Sequence, residues 1–409
     1  MPAVTDAPEI SLGGNVAWTL GGNIVYAGCQ WGIFLALARL GNPAMVGQFA
    51  LGFAIANPVF LFSQLQLRAL QATDASHAEF YPSNYVTLRL LTTALALAGM
   101  AALVALSHFE RETAWVIALA GAAKASDSMS DVFYGRLQQH ERMAQIARSM
   151  MLRGVLSLSA LALAVWLSRS AVVGAAALAG AWIMVLILHD APAARAFGRS
   201  PGGLVWDWPA MRRLARQAFP LGLVTTLAAL DTNIPRYMIA HRLGESALGI
   251  FAAIASLQAA GMILVNALGQ SAAPRLARYH FTGDGRSFWR LMTKLLALAL
   301  APGAALVAVA LAAGDVVPPL LFGAAYAHER TLFVWLSIAT AFWLVTSMLG
   351  FAATASRRIA FQPWALAVVA AVSLAVCSFA VPRYGVVGGA MASTVSAAAG
   401  LALYAAGVF

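Results

Sequence analysis

The sequence predicts an all-α polytopic membrane protein of about twelve transmembrane helices. Three observations predict it. Of the 409 residues, 61% are hydrophobic and only 10% are charged, against roughly 25% charged in an ordinary soluble domain. Apolar runs of about 20 residues, the length that crosses a ~30 Å hydrocarbon core, recur along the chain. Basic residues gather in alternate short connections between those runs, the asymmetry of membrane topology. This composition excludes a disordered chain, which needs low hydrophobicity and high charge. It also argues against a water-soluble globule, whose surface so few charged groups cannot cover. The net charge of +10 does not point to nucleic acid, because there the cations would cluster on one soluble face. Spread between apolar runs, they have anionic membrane lipids as neighbours.

The spans are expected to start near Asn15, Pro43, Tyr85, Glu112, Met150, Ala171, Gln217, Ser246, Phe288, Arg330, Gln362 and Gly385. Asp6 and Glu9 precede the first without a Lys or Arg. No basic n-region is present, so the first apolar run is expected to stay in place as a span. The longest connection, 189–216, holds Pro192, Pro201, Gly202, Gly203 and Pro209, residues that read as turns. It falls near mid-chain. The expected organisation is an N-terminal six-helix bundle over 1–189, a cytoplasmic linker over 190–216 and a C-terminal six-helix bundle over 217–409.

Of the 26 Lys and Arg, the connections after even-numbered spans hold seventeen, those after odd-numbered spans seven, and Arg89 and Lys124 lie within spans. The excess puts the even connections and both termini in the cytoplasm. The chain also repeats itself. Arg39-Leu40-Gly41 followed by Gly47-Gln48-Phe49-Ala50 is matched by Arg242-Leu243-Gly244 followed by Gly249-Ile250-Phe251-Ala252. Both copies join the first span of a half to its second. Two halves with the same orientation predict a pseudo-two-fold axis along the membrane normal and a cavity between two bundles.

Polar groups inside spans are costly and are therefore candidates for function. The fourth span is the richest, with Lys124, Asp127, Ser128, Ser130 and Asp131. Residues 124, 127 and 131 fall within about 60° of one another on a helix, so they form one stripe. That stripe is either a substrate or ion site or a set of ion pairs joining helices. Arg89, about one turn inside the third span, is a candidate anion contact that can also snorkel to the interface. The seventh span carries Thr225, Thr226, Asp231, Thr232, Asn233, Pro235 and Arg236. Pro235 removes a backbone hydrogen bond and can kink this helix. Asn15, Asn23 and Gln30 add neutral polar groups in the first span.

Other signals are weaker. Gly28 and Gly32 have the GxxxG spacing that lets helices approach closely. Most tryptophans fall near span ends and read as interface anchors rather than sugar platforms. Cys29 and Cys377 lie in apolar runs without a CxxC partner, so neither a disulfide nor a metal site is expected. There is no GxxxxGK[ST] to cradle ATP phosphates and no HExxH, nor a Ser in a GxSxG elbow. No enzyme and no cofactor are expected.

Several stretches resemble bacterial oligosaccharide flippases. They include Asn233-Ile234-Pro235-Arg236-Tyr237, Leu243-Gly244, Leu248-Gly249 with Phe251-Ala252, and Asn266-Ala267-Leu268-Gly269-Gln270-Ser271 with Pro274-Arg275-Leu276-Ala277. Leu67-Arg68 with Gln71-Ala72-Thr73-Asp74-Ala75 belongs with them. So does Lys124 with Asp127, Asp131, Tyr134-Gly135, Gln138, Glu141-Arg142-Met143 and Arg153-Gly154. The likeness spans roughly residues 60 to 295 and is to the O-antigen and capsule repeat-unit branch of the multidrug/oligosaccharidyl-lipid/polysaccharide exporter superfamily. The resemblance implies two six-helix bundles around a central cavity, working by alternating access. It implies a bacterial inner-membrane transporter that moves undecaprenyl-diphosphate-linked oligosaccharide from the cytoplasmic to the periplasmic leaflet. The polysaccharide polymerase and chain-length machinery would be its partners. Arg89, Lys124, Arg68, Arg275, Asn233 and Arg236 are then the candidate substrate contacts, since a diphosphate needs cationic donors. Asp127, Asp131 and Asp231 are the candidates for coupling to a proton or sodium ion. The competing expectation is a cation-coupled multidrug exporter of the same superfamily.

Overall fold

The computed structural model describes residues 12–73, 81–195, 206–356, 358 and 361–408. Asp6, Glu9, Asp74, Ala75, Arg199, Pro201, Gly202, Gly203 and Arg357 lie outside them. The first half contains α1 (Leu12–Leu40), α2 (Pro43–Gln64), the short α3 (Leu67–Thr73), α4 (Pro82–Leu106), α5 (Arg111–Gln139), α6 (Met143–Ser168) and α7 (Ala171–Val185). A π-helical turn, Leu186–Asp190, carries α7 into α8 (Ala191–Arg195). The second half contains α9 (Trp208–Leu243), α10 (Glu245–Ala255), α11 (Ala259–Phe281), α12 (Gly285–Ala313), α13 (Val317–Phe322), α14 (Arg330–Ala355) and α15 (Gln362–Val408). Among the described residues no strand occurs.

Local chemistry sets the starts. Asn42 accepts from the Met45 backbone N–H with Pro43 in the first turn of α2, and Ser170 does the same for Val173 at the head of α7. Asp207 and Asp284 cap α9 and α12. These side chains satisfy donors that a helix start leaves open. Gly385 breaks α15 with φ 59° and ψ −135°, a backbone state that glycine enters without a Cβ penalty. The break falls where the sequence places the start of the last span.

Eight helices among the described residues are long and apolar enough to cross a membrane. The chain is a multi-pass membrane protein. α5 is not among the eight, because charged and hydroxyl residues interrupt its apolar run. The segment Gln362–Gly407 counts as one of them although Gly385 divides it.

Two expectations need correction. The 189–216 connection is not a run of turns at either end. Helix continues to Arg195 through Pro192, and α9 begins at Trp208 with Pro209 in its first turn. A proline there loses no hydrogen bond, because the first helical N–H groups have no intrahelical partner. The fifth span starts earlier than Met150, at Met143, so Arg148 and Arg153 lie within α6 rather than in a connection.

α1 packs along α6, and α6 along α7; α14 packs on α12 and α15, and α15 on α9. α2 is the element that joins the halves, lying against α5 on one side and α9 and α10 on the other. GxxxG at Gly28 and Gly32 is only half used. A Cβ at Gly28 would meet open space, while one at Gly32 would come to 3.0 Å from Leu158 Cδ2. The closer α1–α6 approach is at Gly22, whose Cβ would lie 2.8 Å from Ala147 Cα.

The two copies of the sequence repeat meet each other at the crossing of α2 and α10. A Cβ on Gly47 would collide with the Glu245 carbonyl, and a Cβ on Gly249 with the Pro43 carbonyl. Pro43 and Glu245 occupy equivalent places in the two copies, as do Gly47 and Gly249. Each contact is therefore the exchange of the other. Nearby, Thr113 donates to the Glu245 carboxylate and Arg39 to the carbonyls of Leu320 and Leu321.

Gly47→Ala and Gly249→Ala should each destabilise the protein by about 1–3 kcal/mol, the usual effect of overpacking a close contact. Gly28→Ala should be neutral or slightly stabilising. Thermal unfolding in detergent measures the difference, and equal midpoints for Gly28→Ala and Gly249→Ala would contradict this packing.

Candidate functional site

The polar stripe of α5 is the centre of a buried ionic cluster. Lys124 Nζ lies 2.8 Å from Asp127 Oδ2, one turn along. The second oxygen of Asp127 is 2.5 Å from Arg153 NH1 of α6. Arg153 NH2 reaches Asp190 Oδ2 at 3.4 Å, and Asp190 Oδ1 faces His189 Nδ1 at 3.1 Å. The π turn places Asp190 there. An extra residue in a helical turn rotates the chain relative to α-helical register, and such turns often mark functional positions. The Arg153 guanidinium also lies over the rings of Trp182, at 5.2 Å, and Tyr134, at 5.9 Å.

One turn further along α5, Asp131 Oδ2 accepts from Arg89 NH2 of α4 at 2.9 Å. Its other oxygen is 3.7 Å from Arg68 NH1. Arg89 also donates to Ser128 Oγ at 3.3 Å, and Arg68 Nε donates to Gln138 Oε1 at 3.0 Å. Four cations, Arg68, Arg89, Lys124 and Arg153, thus face three carboxylates, Asp127, Asp131 and Asp190. Exposure separates their roles. The Arg89 and Arg153 side chains are 0% and 2% exposed, Lys124 12% and Arg68 32%. Arg89 does not snorkel; it is wholly enclosed and neutralised by Asp131.

A second region is a cavity of about 530 Å³ between α1 and helices of the second half. Tyr26, Gln30 and Trp31 of α1 line it, with Asp231, Pro235 and Arg236 of α9, Trp343 of α14 and Tyr404 of α15 among the residues opposite. α9 runs as helix through both Pro220 and Pro235. Asn233 points away into buried packing, donating to the Ala229 carbonyl at 2.7 Å and accepting from Arg236 NH1 at 2.9 Å. Tyr26 of the cavity wall also sits against α6, where a Cβ on Gly154, the neighbour of Arg153, would lie 3.3 Å from its Cα. Arg275 is exposed on α11 and lies in neither group.

The sequence-predicted residues therefore divide. Arg68, Arg89, Lys124, Asp127 and Asp131 come together; Asp231, Asn233 and Arg236 form a second set on α9; Arg275 stands apart. Sequence reasoning missed Asp190, which it left in a connection, and assigned no role to Arg153 beyond its motif. An Asp beside the one His of a long apolar run was the available signal. Trp31 and Trp343, expected at the membrane interface, line the cavity instead. Span-end position alone does not distinguish a lipid-facing indole from one facing inward.

The fold is shared with solved membrane transporters. The chain is similar to a structure of the lipid II flippase MurJ in an inward closed conformation, with a TM-score of 0.71 and 11% identity, covering 95% of this chain and 86% of that one. It is similar to a mutant of the Vibrio cholerae MATE transporter VcmN, with a TM-score of 0.62 and 16% identity, covering 96% and 94%. A superfamily transporter from Pyrococcus furiosus matches with a TM-score of 0.64 at 15% identity, covering 96% and 92%. These neighbours bear the names of a flippase and transporters, none that of an enzyme. Residues 12–280 match the family model described as polysaccharide biosynthesis protein, and the chain belongs to that family. It is also 24% identical over 376 residues to the capsular polysaccharide biosynthesis protein CapF of Staphylococcus aureus, covering 91% of this chain and 93% of that one.

Removing one member of a buried ion pair leaves the other charge uncompensated, at a cost of about 3–5 kcal/mol. Arg89→Met should lower unfolding stability by less than that amount, because Asp131 keeps Arg68 at 3.7 Å, and Arg89→Met combined with Asp131→Asn should recover most of the loss. Thermal unfolding of the three proteins in one detergent checks it; a double variant no more stable than the single one would show that the pair is not the source.

Proposed function

We propose that the protein is a flippase that moves undecaprenyl-diphosphate-linked oligosaccharide repeat units from the cytoplasmic to the periplasmic leaflet for surface polysaccharide synthesis. The observation that carries the reading is the ionic cluster, with more cations than carboxylates, beside a cavity inside the membrane-spanning fold of a polysaccharide biosynthesis family member. The similarity to a capsular polysaccharide biosynthesis protein supports it. The drug-exporter alternative is not favoured, because the likeness to the MATE transporter concerns the fold alone.

In this reading twelve spans form two bundles. α1, α2, α4, α5, α6 and α7 with α8 make the first, and α9, α10 with α11, α12, α14 and the two parts of α15 make the second. The reciprocal α2–α10 crossing marks their pseudo-two-fold axis. With the even connections cytoplasmic, as the basic residues favour, that crossing lies at the periplasmic end and its release opens the outward path. Both termini then lie in the cytoplasm, and the membrane is the bacterial inner membrane.

The cluster supplies the diphosphate contacts unequally. Lys124 and Arg68 retain exposure and donors, so they meet phosphate oxygens directly. Arg89 and Arg153 are the buried supports that hold Asp131 and Asp127 in place. Arg275, exposed toward the even-connection end of α11, receives the headgroup at the mouth. Asp127, Asp131 and Asp231 are the groups through which a proton or sodium ion couples to the cycle. The inside-negative potential favours outward movement of an anion by about 2.3 kcal/mol per charge per 100 mV, so about 4–5 kcal/mol for two charges crossing the whole field.

Deletion in the native bacterium should abolish surface polysaccharide and leave complete lipid-linked repeat units on the cytoplasmic side. On complementation, Lys124→Ala should lower export roughly 10–100-fold at unchanged protein level, the loss of one hydrogen bond to a charged group, while Lys124→Arg retains most of it. Intact polymer in the deletion strain with no build-up of lipid-linked sugar would overturn the reading.

A further inference from the structure

The ionic cluster of α5 is built twice, and its two units differ in one buried carboxylate. Asp127 is shared between Lys124, which keeps some exposure, and Arg153, which is buried. Asp131, one turn on, is shared in the same way between the partly exposed Arg68 and the buried Arg89. Each unit is an accessible cation, a carboxylate and an enclosed arginine behind it. The units part at that arginine. Arg89 donates further to a neutral hydroxyl, Ser128 Oγ, whereas Arg153 reaches a second carboxylate, Asp190, at 3.4 Å. Resting on the flippase reading, we infer that Asp190 is a positioning residue that limits how tightly the cluster holds the diphosphate, by neutralising one of the two units from behind.

Charge is the first support. Within these contacts the Arg68 unit carries one unmatched positive charge, and the Lys124 unit, with Asp190 included, carries none. Without the Asp190 charge both would carry one. Asp190 is fully buried, so its field reaches a nearby anion with little screening. Geometry is the second support. The Arg153 guanidinium is held at two edges, NH1 on Asp127 and NH2 on Asp190, with the rings of Trp182 and Tyr134 beside it. Arginine's planar fork can serve two carboxylates at once. Asp127 is then left to share its charge with Lys124. With Asp190 neutral, Arg153 and Asp127 balance one another alone, and Lys124 turns its full charge to a phosphate.

Local structure is the third support. Asp190 closes a π turn in which the Ala191 N–H reaches back to the Leu186 carbonyl, an irregularity that helices keep mostly at functional positions. The turn packs against α5, and His189 Nδ1 covers the outer side of Asp190 at 3.1 Å. A carboxylate buried for stability alone gains little, because desolvation offsets its attraction to the guanidinium. A carrier has another use for it. The cargo must leave as well as bind, and a gain in affinity falls chiefly on the dissociation rate. A negative charge behind the contact weakens the hold on an anion without touching the cargo.

The test titrates the full-length protein in nanodiscs with undecaprenyl diphosphate and with undecaprenol, the same tail without charge. Proteoliposomes follow flipping of the host's own lipid-linked repeat units. Asp190→Asn should bind undecaprenyl diphosphate roughly fivefold to tenfold tighter and undecaprenol unchanged. Its half-saturating concentration and its saturating flipping rate should fall together, whereas loss of a merely structural group would weaken binding or leave it alone. Arg153→Met with Asp190→Asn removes one charge of each sign and should bring the affinity back to the wild-type value or below it. His189→Arg, at a partly exposed position, sets a fixed cation against Asp190 and should tighten binding in the same direction, should Asp190→Asn not fold. Undecaprenyl diphosphate binding that is equal or weaker in Asp190→Asn or in His189→Arg, or a double variant as tight as Asp190→Asn, would overturn the role given to Asp190 and leave the flippase reading standing. Wild-type protein that binds undecaprenol as tightly as undecaprenyl diphosphate would overturn the anion contact on which both rest.

Discussion

Inside a hydrocarbon layer the least tolerable feature is a charge without a counter-charge, and this fold is arranged around that constraint. α5 carries Lys124, Asp127 and Asp131 on one face. That face cannot meet lipid. Arg153 of α6 and Arg89 of α4 close on it, with Arg68 of α3 and Asp190 of the π turn at its edges. The positions of four neighbouring elements follow from the need to match α5. Buried ion pairs contribute little net stability because desolvation offsets their attraction. What they supply here is register: each carboxylate accepts only where its partner's guanidinium or ammonium can reach it.

The same constraint separates support from contact. A cation that is fully enclosed and paired, such as Arg89, has no free edge to offer a ligand. One that keeps some exposure, such as Lys124 or Arg68, does. The cavity shows the converse. Its wall is poorer in charge, with one carboxylate, Asp231, and one guanidinium, Arg236, among mostly apolar and aromatic residues.

Glycine governs how the halves meet. Gly47 and Gly249 let α2 and α10 cross with backbone against backbone, each on the other's partner residue. Side chains at that point would hold the helices apart.

The membrane class, the approximate span boundaries, the repeat and the polar stripe of α5 were legible in the sequence. Each depends on composition, on local periodicity or on a short string that recurs, and hydrocarbon thickness constrains all of them. The resemblance to oligosaccharide flippases was legible because its strings survive at fixed spacing, and the family match bears it out. What the sequence could not say was which charges meet. Asp127 lies close in sequence to Lys124, but its pairing with Arg153, and Arg153's with Asp190, depends on how α5, α6 and the π turn pack. That Trp31 and Trp343 face inward, that Gly28 touches nothing while Gly22 meets Ala147, and that the repeated glycines meet each other were likewise decided by tertiary structure. The physical reason is common to them all: a helix presents every side chain to some direction, and only its neighbours determine which direction is lipid, protein or cavity.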